Sequence, residues 1–264
     1  MKNLTTQSPT TMAKSSSSNP MLPADKVIDS MSAGRGFDAI QHIPGSTYQD
    51  NRTIIIAPTR GMIHHRVVTA WQSLIGPPNQ TRHFMMVVGH EVGKAYNDAI
   101  SQILAHPDLS KWPYIMTLED DNLPPPDAHV RLLETIEWGK YDAVSGIYFT
   151  KGEFPMPMAY GDPADFKRTG ILDFKPRDVR AAIAKGNIMP VNGIAMGCAL
   201  WRTQMFKKLP PPWFQTFADL TPQGAQLYTQ DLWGCKRFVE NGCTFAVDFR
   251  VRVGHMDVNT GIVY

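Results

Sequence analysis

Glu119, Asp120 and Asp121 follow one another directly after the apolar run Tyr114-Ile115-Met116-Thr117-Leu118, and Asn122-Leu123-Pro124-Pro125-Pro126 closes the segment. Three carboxylates at the tip of a buried strand repel one another unless a cation lies among them. Strand alternation puts Glu119 and Asp121 on one side and Asp120 on the other, so the first and third can face one ion together. A hard divalent cation, Mg²⁺ or Mn²⁺, suits such a pair, with water and phosphate oxygens in its remaining positions. The chemistry expected is metal-assisted handling of a phosphate-bearing substrate, in which the ion neutralises a diphosphate leaving group. A solvated acidic turn is the bland reading of the same residues.

The elements that must position these acids are legible from apolar patterning. Thr53-Ile54-Ile55-Ile56-Ala57 is a continuous β-branched run, as in a strand covered on both faces, and Pro58-Thr59-Arg60-Gly61 breaks it. Ile63, Val67, Trp71, Leu74 and Ile75 recur at helical spacing until Gly76-Pro77-Pro78. A strand over 84–88, a helix over 92–105, the strand 114–118, a helix opened by Pro126 and Asp127, and a strand over 142–149 follow. Val130, Leu133, Ile136 and Trp138 are the residues of that third helix expected to point inward. Repeated strand–helix alternation predicts an α/β fold: a single Rossmann-like domain with a mostly parallel central sheet flanked by helices. In such sheets ligands bind beyond the carboxyl ends of the strands, where the acids and the 58–61 loop both fall.

Composition sets the surroundings. The 264 residues, 43% hydrophobic, allow one large α/β domain or two small ones, and a net charge of +2 gives no overall attraction to nucleic acid. No apolar run approaches the roughly 18 residues needed to span a bilayer, and no signal-peptide core is present, so a cytoplasmic protein with no membrane anchor is expected. Cys198, Cys235 and Cys243 lack CxxC spacing and read as reduced core thiols. Residues 1–22, rich in Ser and Thr, read as a disordered tail, 23–50 as an N-terminal extension, and 51–264 as the folded domain. Within it, 150–190 is irregular, and 167–185 carries six Lys or Arg against two Asp. That stretch is either a solvated face or a flap that meets a phosphate-bearing ligand. A short strand near 195–201, a helix from Thr229 to Glu240, and a strand from Thr244 to Val253 ending in Gly254-His255 complete the chain.

Strand, Glu119-Asp120-Asp121, Asn122-Leu123-Pro124-Pro125-Pro126-Asp127, helix, then Tyr141-Asp142-Ala143-Val144-Ser145-Gly146 resembles the metal-binding DxD signature of GT-A fold glycosyltransferases, especially the family 2 group. Further stretches agree in order: Pro58-Thr59-Arg60; Gly93 to Ala99, where Tyr96 replaces the family's Arg; Gly193 to Arg202 with Pro212-Trp213-Phe214; and Thr229-Gln230-Asp231-Leu232-Trp233 with the later His255. The resemblance covers about 52–257 and implies a GT-A-like domain, 51–150 binding the nucleotide-sugar and 151–264 the acceptor.

The resemblance also implies roles. Asp121, with Glu119, and His255 would hold the divalent cation, Mn²⁺ or Mg²⁺. Pro58, Thr59, Arg60, Asn97, Asp98, Glu119 and Asp120 would meet the nucleotide-sugar, although Asn97 and Asp98 read equally as polar residues at a helix start. Asp231 would be the general base of an inverting displacement, with a first-turn helix acid as its plain alternative; Gln230 stands where the family has an acid. Gly193, Gln230, Trp201 and Trp213 would lie on the acceptor side, the two indoles with Phe214 either as a sugar-stacking platform or as core aromatics. His64 and His65 read as surface residues. The donor implied is a UDP-sugar; the acceptor stays open among a soluble glycan, a protein, a small molecule and a modified DNA base. Two other classes are carried: a nucleotidyltransferase, against which the 58–61 loop lacks a glycine cluster, and a non-catalytic sugar-nucleotide or glycan-binding module.

Overall fold

The computed structural model describes residues 49–78, 80–221 and 224–264. The tail expected over 1–22 and nearly all of the extension expected over 23–50 lie outside the described residues. The chain runs β1 (Thr53–Thr59), α1 (His65–Gln72), β2 (Arg82–Val88), α2 (Val92–Ala105), β3 (Tyr114–Leu118), β4 (Asn122–Leu123), α3 (Ala128–Gly139) and β5 (Ala143–Ile147). It continues through β6 (Ala159–Tyr160), α4 (Pro163–Thr169), α5 (Arg180–Lys185), β7 (Ile188–Val191), β8 (Gly193–Ile194), β9 (Cys198–Arg202) and α6 (Thr203–Phe206). The last elements are β10 (Phe217–Thr221), β11 (Gly224–Tyr228), α7 (Gln230–Glu240), β12 (Phe245–Arg252) and β13 (Gly254–His255).

Seven strands form the central sheet in the order β2-β1-β3-β9-β5-β12-β7. β1 pairs in parallel with β2 and β3, and β5 with β12; β9 is antiparallel to both β3 and β5, and β7 to β12. Five strands therefore share one direction and two oppose it, the mostly parallel sheet expected. All seven residues of β1 are buried, as its unbroken apolar run requires of a strand with cover on both faces. Alternate residues feed two cores. Ile54, Ile56, Ile115 and Trp201 pack with Tyr96 and Ile100 of α2 and Phe238 of α7. Ile55, Ala57, Met116 and Leu200 pack with Val67 and Trp71 of α1 and Leu132 and Ile136 of α3.

One inward expectation fails on α3. Trp138 is 72% exposed, while Leu132, Leu133 and Ile136 carry the buried stripe. Trp138 stands two positions past Ile136, about 200° round the helix, and so falls on the opposite face. Two small pairings then matter for the site. β13 pairs antiparallel with β4, setting His255 opposite Asn122. β9 enters beside β3, with Cys198 opposite Leu118.

Candidate active site

A cleft of about 370 Å³ opens at the carboxyl ends of β1 and β3. Pro58, Thr59 and Arg60 line it from the exit of β1, Glu119, Asp120 and Asp121 from the exit of β3, and Gln230 from the start of α7. His90, Glu91 and Val92, at the β2–α2 connection, complete it. Sequence reading assigned no role to those three. Their position just past the carboxyl end of a parallel strand was the signal that could have found them.

The three acids occupy a turn, not an extension of β3. The Glu119 amide donates to Gly197 O at 3.1 Å, and the Asn122 amide donates to Glu119 O at 3.0 Å. Strand alternation therefore stops at Leu118, and the expected facing of Glu119 and Asp121 does not follow from it. Gly197 lies so close that a Cβ there would come 2.2 Å from Asn122 Oδ1. Asp120 turns toward the β1 loop, where its Oδ2 accepts the Arg60 amide at 3.3 Å. The donor is the Arg60 backbone amide.

Asp121 turns the other way. Its Oδ2 takes the Lys151 ammonium and lies 3.5 Å from His255 Nε2, while its Oδ1 is buried without a hydrogen-bond partner. The β4–β13 pairing creates this approach, and the Met256 amide donates to Asp121 O at 2.7 Å. His255 Nδ1 is 2.7 Å from Phe149 O. A carbonyl only accepts, so Nδ1 carries hydrogen and, in the neutral ring, Nε2 turns a lone pair toward Asp121. Burial opposes charge on Asp121, but the Lys151 ammonium, and the His255 ring when it is protonated, outweigh it and hold the carboxyl below its usual range.

Glu119 behaves oppositely. Burial first, then the fields of Asp121, Asp231 and Asp120, push its carboxyl up to about 8, with Lys151 only partly opposing. It keeps its proton at neutral pH, the expected outcome for crowded carboxylates. Among the described residues no group of three or more His, Cys, Asp or Glu side chains is arranged to hold a metal. Of the expected trio Glu119, Asp121 and His255, the contact seen is that between Asp121 and His255. The pair still fits a hard divalent ion: Asp121 Oδ1 lacks a partner, Nε2 is bare, and Mg²⁺-type sites take one or two protein ligands with phosphate and water.

Asp231 is 5% exposed in the first turn of α7. Burial raises its pKa, while the Thr229 hydroxyl and the Leu232 amide, 2.9 Å away, donate to Oδ1 and pull it down. Gln230 lines the cleft and Asp231 is the next residue along the helix. The field of Asp231 reaches Glu119, Tyr148 and Tyr160.

Six of the residues expected to contact donor or acceptor are engaged within the fold itself. Trp201 is fully buried and donates Nε1–H to Thr117 Oγ1 at 3.1 Å. Trp213 is 4% exposed and donates to Phe206 O and Leu209 O, both at 2.9 Å. Neither indole offers a face to a sugar; both are core aromatics. Asn97 fastens the 212–214 loop, donating to Phe214 O at 2.6 Å and accepting the Trp213 amide at 2.7 Å. Asp98 ion-pairs with Lys94 one turn back on α2. Gly193 is buried, and a Cβ there would come 2.8 Å from Phe174 and 2.9 Å from Leu232, so packing of β8 against α7 already demands glycine. Thr59 Oγ1 accepts the Gly61 amide at 3.1 Å. His64 caps α1 and His65 is exposed, and the three cysteines are free and buried.

Lys151, which sequence reading missed, ion-pairs with Asp121 of the cleft wall, and only the fold reveals its partner. The basic stretch 167–185 is less positive than its window implied. Arg168 pairs with Asp165, Arg177 with Asp162 at 2.6 Å, and Lys175 with Asp173 at 3.9 Å. Two of these acids lie just upstream of the window. No helix among the described residues is long and apolar enough to cross a membrane.

No family model matches this sequence, and no curated protein matches it. Among solved structures, the crystal structure of A197 from STIV matches with a TM-score of 0.52 at 14% identity, covering 78% of this chain and 86% of that one. Identity so low speaks for the fold alone: the described residues form a Rossmann-like α/β domain with a mostly parallel seven-stranded sheet, an architecture shared with A197 from STIV.

Proposed function

We propose that this chain is a GT-A-like glycosyltransferase that moves a sugar from a nucleotide-sugar, UDP-linked as the first donor to test, to a hydroxyl acceptor. The observation that carries the reading is the approach of His255 Nε2 to Asp121 Oδ2, 3.5 Å apart at the carboxyl-end cleft of a mostly parallel sheet. Asp121 and His255 would hold a divalent cation, Mn²⁺ or Mg²⁺, which when bound supplies positive charge for the departing diphosphate.

The chain's own residues supply the rest. Thr59, Arg60 and Asp120, joined through the Arg60 amide, form the wall against which the nucleoside would lie. Asp231 would take the proton of the acceptor hydroxyl as it attacks the anomeric carbon, in a single displacement with inversion. Burial raises the basicity of its carboxylate, which suits proton abstraction near neutral pH. The Thr229 hydroxyl and Leu232 amide hold that carboxylate in one orientation. Gln230, on the cleft wall, would orient the acceptor. Acceptors to be tried are soluble glycans, proteins, small molecules and modified DNA bases. Three free, buried thiols favour a cytoplasmic setting.

The test is incubation of the full chain with sugar-nucleotide and acceptor panels in Mn²⁺ or Mg²⁺, read by mass spectrometry. Release of nucleoside diphosphate with a glycosylated product supports transfer. Pyrophosphate released from a nucleoside triphosphate and a sugar phosphate would instead identify a nucleotidyltransferase. Binding without turnover across the panel would identify a binding module.

A further inference from the structure

We infer that Lys151 is a diphosphate-binding residue that rests on Asp121 and passes to the donor's phosphates when a cation takes Asp121. The inference rests on the nucleotide-sugar reading of the cleft and assigns it a residue for which neither sequence pattern nor resemblance gave a role.

Lys151 sits on the loop that follows β5. The root of that loop is fixed: the Thr150 amide donates to Met156 O, the Met158 amide to Tyr148 O, and the Met156 amide to Thr150 Oγ1, each at 2.9 Å. Phe149 O, in the same root, is the atom that orients the His255 imidazole. Beyond Lys151 the loop is open. Gly152 has a φ of +124° with nothing within 4 Å of where a Cβ would stand, and Phe154 is 80% exposed. One loop thus holds a metal-facing imidazole rigidly and presents a cation on a long, adaptable stem.

Charge decides where that cation goes. The Lys151 ammonium ion-pairs with Asp121 Oδ2, the oxygen that also faces His255. A divalent ion on the same oxygen would repel it, since like charges about 4 Å apart destabilise each other even near water. A donor diphosphate brings two or more negative charges into a cleft that already holds Asp120 and Asp121. The displaced ammonium then has phosphate oxygens beside it, which lysine binds as a point charge. No bond is made or broken in this exchange; one ion pair replaces another.

The test compares wild type, Lys151→Met and Lys151→Arg in the full chain, using Mn²⁺ alone and then UDP with saturating Mn²⁺, by calorimetry and Mn²⁺ electron paramagnetic resonance. Lys151→Met should bind Mn²⁺ roughly tenfold more tightly without nucleotide, because its internal competitor is gone. It should bind UDP roughly tenfold more weakly, because a phosphate contact is gone. Lys151→Arg should follow wild type in both. Lys151 is on a surface loop outside both cores, so each variant should fold cooperatively, which a melting curve checks. If wild type binds UDP with Mn²⁺ and Lys151→Met alters neither affinity, the Lys151 role is overturned and the reading of the cleft stands. If wild type binds neither Mn²⁺ nor UDP, both are overturned.

Discussion

His255 Nε2 and Asp121 Oδ2 stand 3.5 Å apart, brought together by the two-residue pairing of β13 with β4. Phe149 O holds the far nitrogen of the ring, so with a neutral imidazole both facing atoms are acceptors and the gap suits a cation. Asp121→Asn and His255→Ala are each expected to weaken Mn²⁺ binding by about tenfold or more and to cut diphosphate release by about a hundredfold. Mn²⁺ titration and initial rates check this. Wild-type Mn²⁺ affinity in His255→Ala would show that the ring serves only the C-terminal strand.

Asp231 tests the base separately from the metal. Asp231→Asn keeps the shape and leaves an oxygen to accept from Thr229 and Leu232, but removes the basic carboxylate. Transfer should fall by about 10²- to 10⁴-fold, with metal-dependent UDP binding within about twofold of wild type. The pair of readings, initial rate and calorimetric affinity, separates a base from a helix-start acid. A variant that transfers sugar at the wild-type rate disproves the assignment.

How much of this was legible in the sequence varies with the range of the interaction. Ile54-Ile55-Ile56 and the run 114–118 announced buried strands because apolar β-branched residues fit a sheet covered on both faces. Their carboxyl ends then located the cleft by topology alone. What failed depended on contacts between distant segments. The alternation argument for Glu119 and Asp121 assumed a strand, whereas hydrogen bonds to Gly197 and within 119–122 made a turn. Trp201 and Trp213 read equally as platform or core, because burial is a tertiary property. Lys151 meets Asp121 across three intervening elements, and no local pattern marks that pairing. The antiparallel direction of β9 was likewise invisible, since strand orientation is set by the long 150–190 connection and not by strand composition.

The buried indoles give a prediction about stability instead of acceptor affinity. Trp201 fills the core between Phe214 and Phe245 and donates its N–H to Thr117. Trp201→Phe removes that hydrogen bond and some volume, and should cost about 1–3 kcal/mol. Chemical denaturation measures this. At a temperature where the variant remains folded, its KM for acceptor should equal that of wild type; a large rise in KM with unchanged stability would restore the sugar-platform reading.

Acid should expose His129. It is fully buried on α3, with Nε2 2.9 Å from Thr53 Oγ1 and Nδ1 without a partner. Burial first, and the positive field of Arg82 second, lower its pKa from 6.5 to about 4. Above 6.5 both folded and unfolded states carry a neutral ring, so the stability is fully present. As pH falls from 6.5 toward 4 the unfolded chain takes up a proton that the folded one refuses, and stability drops. The span corresponds to about 3 kcal/mol at roughly 1.4 kcal/mol per pH unit. Urea unfolding at pH 7 and at pH 4.5 should therefore show a steeper loss in wild type than in His129→Gln, whose side chain does not titrate and can still reach Thr53. Carboxylates contribute to acid unfolding in both proteins, so the difference between the two slopes isolates the histidine. Parallel slopes would mean that the ring at 129 is protonated inside the fold.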